Sequence, residues 1–189
     1  MAAGFTTTGA TVAGNIERLS RATLFWRSFA QFLGGMGVLV FALALQPHLQ
    51  AETFHVMRAE MPGPQFAKIS ARLSTTARIL YLIYMAMTVI LFVVLLNLDL
   101  SIFDSLIFAM ETAGTGGFGI RSASVAYYNS PALEYTLGVA MILFGVNFNV
   151  YYFLLIGQVR SFFKSEELRW YLFIIACSVG LIFWNTAGL

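Results

Sequence analysis

Long apolar runs alternate along the chain with short polar or charged joints. The runs at 24–45, 76–97, 133–157 and 170–187 each approach or exceed the roughly 20 residues a helix needs to cross a bilayer. The pattern predicts four membrane-inserted helices. A fifth run, 102–113, is only about half that length. It opens on Ser101-Ile102-Phe103-Asp104, where a serine precedes a carboxylate by three positions, as at a capped helix start. A half-length apolar run leading into glycines predicts a re-entrant half-helix. Between the first two long runs lie Pro47 and the turn-forming Pro62-Gly63-Pro64. Phe66, Ile69, Leu73 and Ala77 then recur at helical spacing, with Lys68, Arg72 and Arg78 elsewhere on the wheel. Such a segment predicts a basic helix lying on a membrane surface before the chain dives in. Before the last run, Ser165-Glu166-Glu167 reads as a helix start.

Composition turns this pattern into a solvent. Of 189 residues, 59% are hydrophobic and 11% charged, and the mean hydropathy is +0.78. A soluble domain of this length needs more charge to cover its surface. The net charge of +2 does not suit nucleic acid. The basic residues instead report topology. With the first long helix running inward, seven of them (Arg58, Lys68, Arg72, Arg78, Arg160, Lys164, Arg169) are cytoplasmic, against four outside (Arg18, Arg21, Arg27, Arg121). The lone Cys177, inside an apolar run, reads as packing material. His48 and His55 stand without any metal-binding spacing and read as solvated or interfacial. Neither a nucleophile–base pair nor a ligand set lies within the apolar runs, so the chain reads as no enzyme and as binding no cofactor. Met1 leads straight into AAGFTTTGATV rather than into a signal peptide, as in a chain that opens inside a larger unit.

The sharpest motif is Glu111-Thr112-Ala113-Gly114-Thr115-Gly116-Gly117-Phe118-Gly119. A dehydrated potassium ion needs oxygen ligands in place of its water shell, and backbone carbonyls supply them where successive residues can turn toward one axis. Glycine permits that backbone at little steric cost. Thr115-Gly116-Gly117-Phe118-Gly119 matches the TVGYG pattern of potassium channels at Thr115, Gly117 and Gly119. A plain glycine-rich loop or a helix C-cap is the competing reading, and position favours the filter: a half-helix precedes the loop and a full run follows it. A second loop, Thr6-Thr7-Thr8-Gly9-Ala10-Thr11, shares Thr-x-Gly but departs from the pattern at Ala10 and Thr11. Each loop is followed by a long run with glycines near its middle, Gly34, Gly35 and Gly37 in one case and Gly145 in the other. This is a weak internal repeat.

Five strings in order, GFTTTGATV, FWRSFAQFLGGMG, RAEMPGP, FDSLIFAMETAGTGGFG and GVNFNVYY, resemble the bacterial Trk/Ktr/HKT potassium transporter superfamily, and its TrkH-type membrane subunits above all. The resemblance implies an all-α membrane protein of helix–pore-loop–helix repeats, four in one chain around a single pore. On that plan residues 1–46 hold the filter loop and second helix of repeat 1, and 47–75 a cytoplasmic linker. Residues 76–157 form the complete second repeat, and 158–189 a cytoplasmic loop with the first helix of repeat 3. The resemblance implies potassium-binding filter roles for Thr7, Thr8, Gly9 and Ala10, and for Thr115, Gly116, Gly117 and Phe118, with Glu111, Thr112 and Gly119 in support. It implies potassium as the transported ion in the cytoplasmic membrane of a bacterium. The partners implied are the remaining repeats, a second copy in a homodimer, membrane lipid and a cytoplasmic nucleotide-binding regulatory subunit of TrkA type.

Several residues carry expectations of their own. Glu111, near the end of the half-helix, is expected to be protonated or bonded to filter amides, or else paired with Arg121; an interfacial carboxylate reaching water is the alternative. The glycines at 34, 35 and 37 read as a packing surface before a kink. Asn147 and Asn149 read as interhelical hydrogen-bonding groups, with pore lining as the lesser role for Asn147. A secondary transporter with discontinuous helices and a midplane substrate site is the alternative function; it calls for mid-membrane acids, and only Glu111 comes close.

Overall fold

The computed structural model describes residues 2–9, 16–37, 66–155, 157 and 166–186, with the backbone alone at 66–77, 149, 152 and 153. Among these residues the structure is helical, without strands. It divides into two compact units, 1–144 and 145–189.

The first unit is built around a half-length helix. Helix α1 (Ala2–Phe5) is a single turn leading into the first Thr/Gly loop. A 3-10 turn at Ile16–Arg18 precedes α2 (Arg21–Gly35), which Ser20 caps by accepting a hydrogen bond from the Thr23 N–H. Helix α3 (Phe66–Leu96) is the longest. It ends in a tight turn through Asp99, and α4 (Ile102–Ala113) begins at once. Ser101 caps α4, its side chain accepting from the Asp104 N–H at 3.1 Å, as the spacing predicts. A 3-10 turn (Ser124–Tyr128) follows the second loop, and α5 (Pro131–Phe144) leaves it. Helix α4 packs against α2, α3 and α5, and every residue from 107 to 113 is buried. That all-round burial explains an apolar stretch too short to span.

In lipid, apolar burial adds little to helix association, so close approach through small residues must carry it. Gly34 of α2 lies where any side chain would overlap the Phe5 carbonyl, and a Cβ on Gly35 would lie 2.5 Å from the Tyr84 hydroxyl and 2.8 Å from Gly114 Cα. These two glycines are packing surfaces. Gly37 has a positive φ of 72°, and a Cβ there would meet nothing among the described residues. It stands just past the end of α2, where its N–H bonds the Gly34 carbonyl at 2.8 Å.

One of the expected spans is interrupted where hydropathy implies continuity. Of the 24–45 run, residues 24–35 are helical, and 38–45 lie outside the described residues. The 133–157 run is two helices, α5 and α6 (Phe148–Leu155), parted at Gly145-Val146-Asn147. Gly37 follows Gly9 by the same interval as Gly145 follows Gly117, so both helices stop at equivalent glycines. Helix α3 is continuous from Phe66, so no break sets off a separate surface-lying helix. Two helices of the described residues are long and apolar enough to cross a bilayer, residues 78–96 of α3 and α7 (Glu166–Thr186).

The second unit holds α6 and α7. Val146, Val150 and Leu168 form its small core, with Tyr151 and Tyr171 packed against it. Asn147 Nδ2 donates to both carboxylate oxygens of Glu167, at 3.2 and 3.0 Å, the interhelical bond expected of it. Apart from Tyr171 and the half-buried Ile175, α7 is exposed beyond Leu168. Cys177 is exposed with it rather than packed inside the chain, because α7 meets α6 only near its own start.

Candidate functional site

The two Thr/Gly loops share one backbone conformation. Thr7 and Gly9 have φ of 54° and 65°; Thr115 and Gly117 have φ of 53° and 69°. The residues between them, Thr8 and Gly116, do not have positive φ. Each loop thus alternates the sign of φ from residue to residue, in the same register. The preceding turns match as well. The Thr7 N–H bonds the Gly4 carbonyl and the Thr115 N–H bonds the Thr112 carbonyl, both at 2.9 Å. The Thr6 and Gly114 N–H groups bond the carbonyls of Ala2 and Met110, at 3.0 and 3.2 Å. Glycine adopts positive φ freely, whereas a β-branched threonine does so only at a cost of about 1–3 kcal/mol. A strained threonine at the same place in both loops is therefore a feature of the site rather than an accident of one turn.

The loops also touch. A side chain on Gly9 would overlap the Phe118 ring, so the aromatic residue of the second loop is seated on the glycine of the first. The Arg27 guanidinium lies 5.6 Å from the centre of the same ring, within cation–π range. Thr8 and Thr115 are exposed, Thr7, Gly116, Gly117 and Phe118 half-buried, and Gly9 and Gly119 buried. Thr8 Oγ1 lies 2.9 Å from Thr6 Oγ1 in a hydroxyl–hydroxyl hydrogen bond. Ala10 lies outside the described residues, as do His48 and His55.

Behind the second loop, Glu111 and Thr112 act first through their main chain, the Glu111 carbonyl accepting the Gly116 N–H at 2.9 Å. Both side chains are buried. Ser28 Oγ of α2 donates to Glu111 Oε1 at 2.7 Å, and Glu111 Oε2 has no partner among the described residues. The expected alternatives of filter amides or Arg121 are not what the Glu111 side chain meets. Arg121 lies beyond the loop, its guanidinium 4.6 Å from the centre of the Tyr127 ring, while Glu111 faces α2. Gly119 is closed in by the Phe108 ring, 3.2 Å from where its Cβ would stand. In the outer turn Tyr128 donates to Asp104 Oδ2 at 2.9 Å, tying the chain after the loop to the start of α4. Burial and the Asp104 carboxylate raise the Tyr128 hydroxyl above its ordinary range, so it stays a donor at neutral pH. No cluster of three or more His, Cys, Asp or Glu occurs among the described residues.

Sequence reasoning did not reach Arg27, Ser28 and Gln31, which α2 aims at the second loop. Their signal was three polar residues within one turn of an apolar helix.

The family of TrkH cation transport proteins matches residues 1–189. The chain belongs to that family. The Trk system potassium uptake protein TrkH of Escherichia coli is 33% identical over 189 residues, covering 96% of this chain and 39% of that protein. The potassium uptake protein TrkG of the same organism is 34% identical over 173 residues, 90% of this chain and 36% of its own length. The crystal structure of the potassium transporter TrkH from Vibrio parahaemolyticus superposes with a TM-score of 0.65 at 29% identity, covering 91% of this chain and 34% of that one. The chain thus spans about two fifths of the length of the curated relatives it matches. A helical fold with apolar helices long enough to cross a membrane is what this family of transporters calls for.

Proposed function

We propose that these residues supply two of the filter segments of a potassium uptake pore. Thr7, Thr8, Gly9 and Ala10 line one segment, and Thr115, Gly116, Gly117 and Phe118 the other. Potassium is the transported ion, held by backbone carbonyls, and Glu111, Thr112 and Gly119 support the second segment. The observation that carries this reading is the shared alternation of φ in two touching loops. Alternating handedness is the backbone condition for neighbouring carbonyls to turn to one side, as a carbonyl-lined filter requires. The potassium uptake activity named for the relatives supports the choice of ion.

On this reading residues 1–46 end a first repeat, 47–75 link it, 76–157 make the second repeat, and 158–189 open a third. The remaining repeats complete the pore. The assembly is a homodimer in the cytoplasmic membrane of a bacterium, surrounded by lipid, with a nucleotide-binding regulatory ring of TrkA type on the inner side. No catalytic chemistry is assigned. The secondary-transporter alternative gains the helix break at Gly145 but lacks a mid-membrane acid, since Glu111 is engaged by Ser28 behind a loop.

The test supplies the missing repeats. The 189 residues replace the matching stretch of the Escherichia coli TrkH relative in cells stripped of other potassium uptake systems. Growth on low potassium and rubidium uptake that sodium does not suppress are expected. A chimera present in the membrane at normal level yet carrying no potassium would sink the proposal.

A further inference from the structure

The face of α2 turned to the second loop holds a residue whose role the filter reading leaves open. Gln31 is fully buried, and neither its Nε2 nor its Oε1 has a hydrogen-bond partner among the described residues. Its carboxamide occupies the space that a side chain at position 116 would need, and its Cγ lies 2.8 Å from where a Cβ on Gly114 would stand. Burying a carboxamide in this way is costly, so a polar group kept there points to a task at that spot.

Gly116 makes the task specific. Its φ is not positive, so the backbone alone does not demand glycine there. What excludes a side chain is Gln31. At the equivalent place in the first loop the chain carries Thr8, whose side chain is exposed. The difference between Thr-Thr-Gly and Thr-Gly-Gly therefore follows from what stands behind each loop. One turn earlier on the same helix, Ser28 holds Glu111, whose main-chain carbonyl receives the Gly116 N–H. The second loop is gripped at its entry and at its middle by a helix from the preceding repeat.

We infer that Gln31 is a positioning residue that sets the ion specificity of the second loop. Wedged behind Gly114 and Gly116, it limits how far the Thr115–Phe118 backbone can yield. On the snug-fit account of selectivity, a carbonyl cage discriminates between ions of one charge by holding its oxygens near one radius. A fully buried side chain filling the space behind the loop restrains them there. The inference rests on the filter reading above and adds to it the residue that stiffens one segment.

The test uses the same chimera. Gln31→Leu keeps the bulk and removes the amide; Gln31→Ala removes both. Both are expected to reach the membrane and to lower the potassium-over-sodium uptake ratio severalfold, more for Ala than for Leu. Gly116→Ala is expected to lower uptake, and Gly116→Ala with Gln31→Ala to recover most of it at a reduced ratio. A role in folding alone would change the amount of protein without changing that ratio. An unchanged ratio in Gln31→Ala overturns the inference and leaves the filter reading intact. Should the Gln31 variants not reach the membrane, Gly116→Ala alone decides: uptake and a potassium-over-sodium ratio equal to the parent's overturn the inference. A parent chimera without potassium uptake overturns the filter reading, and the inference falls with it.

Discussion

Two glycines with nearly the same backbone angle have opposite surroundings. Gly9 and Gly37 both sit at positive φ, 65° and 72°, but Gly9 is covered by the Phe118 ring, whereas a Cβ on Gly37 would meet nothing among the described residues. Alanine at 37 meets only the conformational penalty, about 1 kcal/mol. Alanine at 9 meets the same penalty and a collision between the two loops. Gly37→Ala in the chimera is therefore expected to lower the melting temperature by a few degrees with uptake retained. Gly9→Ala is expected to cost more than twice as much stability and to lose uptake. Equal melting temperatures for the two variants would show that Phe118 does not press on Gly9.

At the scale of elements, the end of α2 is held by α3. Tyr84 is fully buried, stacks on Phe32 at 4.9 Å between ring centres, meets Phe144 edge-on at 5.7 Å, and donates its hydroxyl to the Phe32 carbonyl at 2.8 Å. A carbonyl in the last turn of a helix lacks its usual intrahelical donor or shares it, and here a tyrosine completes it. Tyr84→Phe keeps both ring contacts and removes only that bond. The expected loss is about 1–3 kcal/mol, the usual cost of a buried acceptor left unpaired. Thermal unfolding in detergent reads it, and a change below about 0.3 kcal/mol would mean that the carbonyl is otherwise satisfied. Local chemistry of this kind divides what the sequence reveals from what it hides. The start of α4 is legible because Ser101 and Asp104 lie three positions apart and make the cap themselves. The ends of α2 and α5 are not, because apolar residues continue past Gly37 and Gly145, and hydropathy does not register a backbone that stops being helical. The partner of Glu111 was hidden for another reason. Ser28 lies 83 positions away, while Arg121 is a neighbour in sequence with the better charge, and only tertiary packing decides between them.

For the molecule as a whole the relevant solvent is lipid. Leu82, Val89, Ile90 and Val93 on α3, Tyr135 and Val139 on α5, and Leu181 through Trp184 on α7 are all exposed. Patches of this size are not left in water by soluble proteins. The chain expressed alone is expected to stay with the membrane through an alkaline carbonate wash and to be released only by detergent; recovery in the wash would contradict an integral position. The five family strings made the transporter class legible over nearly the whole length. They did not show how α2 meets the second loop, since Arg27, Ser28 and Gln31 look like ordinary members of an apolar helix until the loop they brace is folded against them.

That bracing gives the direction of synthesis a meaning. Chains fold from the N-terminus as they are made, and α2 precedes the loop it supports. By the time Thr115–Phe118 leaves the ribosome, the helix that stands behind it has already been made. The second loop thus follows the helix it packs on, and a gene rearranged to place α2 after that loop would have to fold the loop without it.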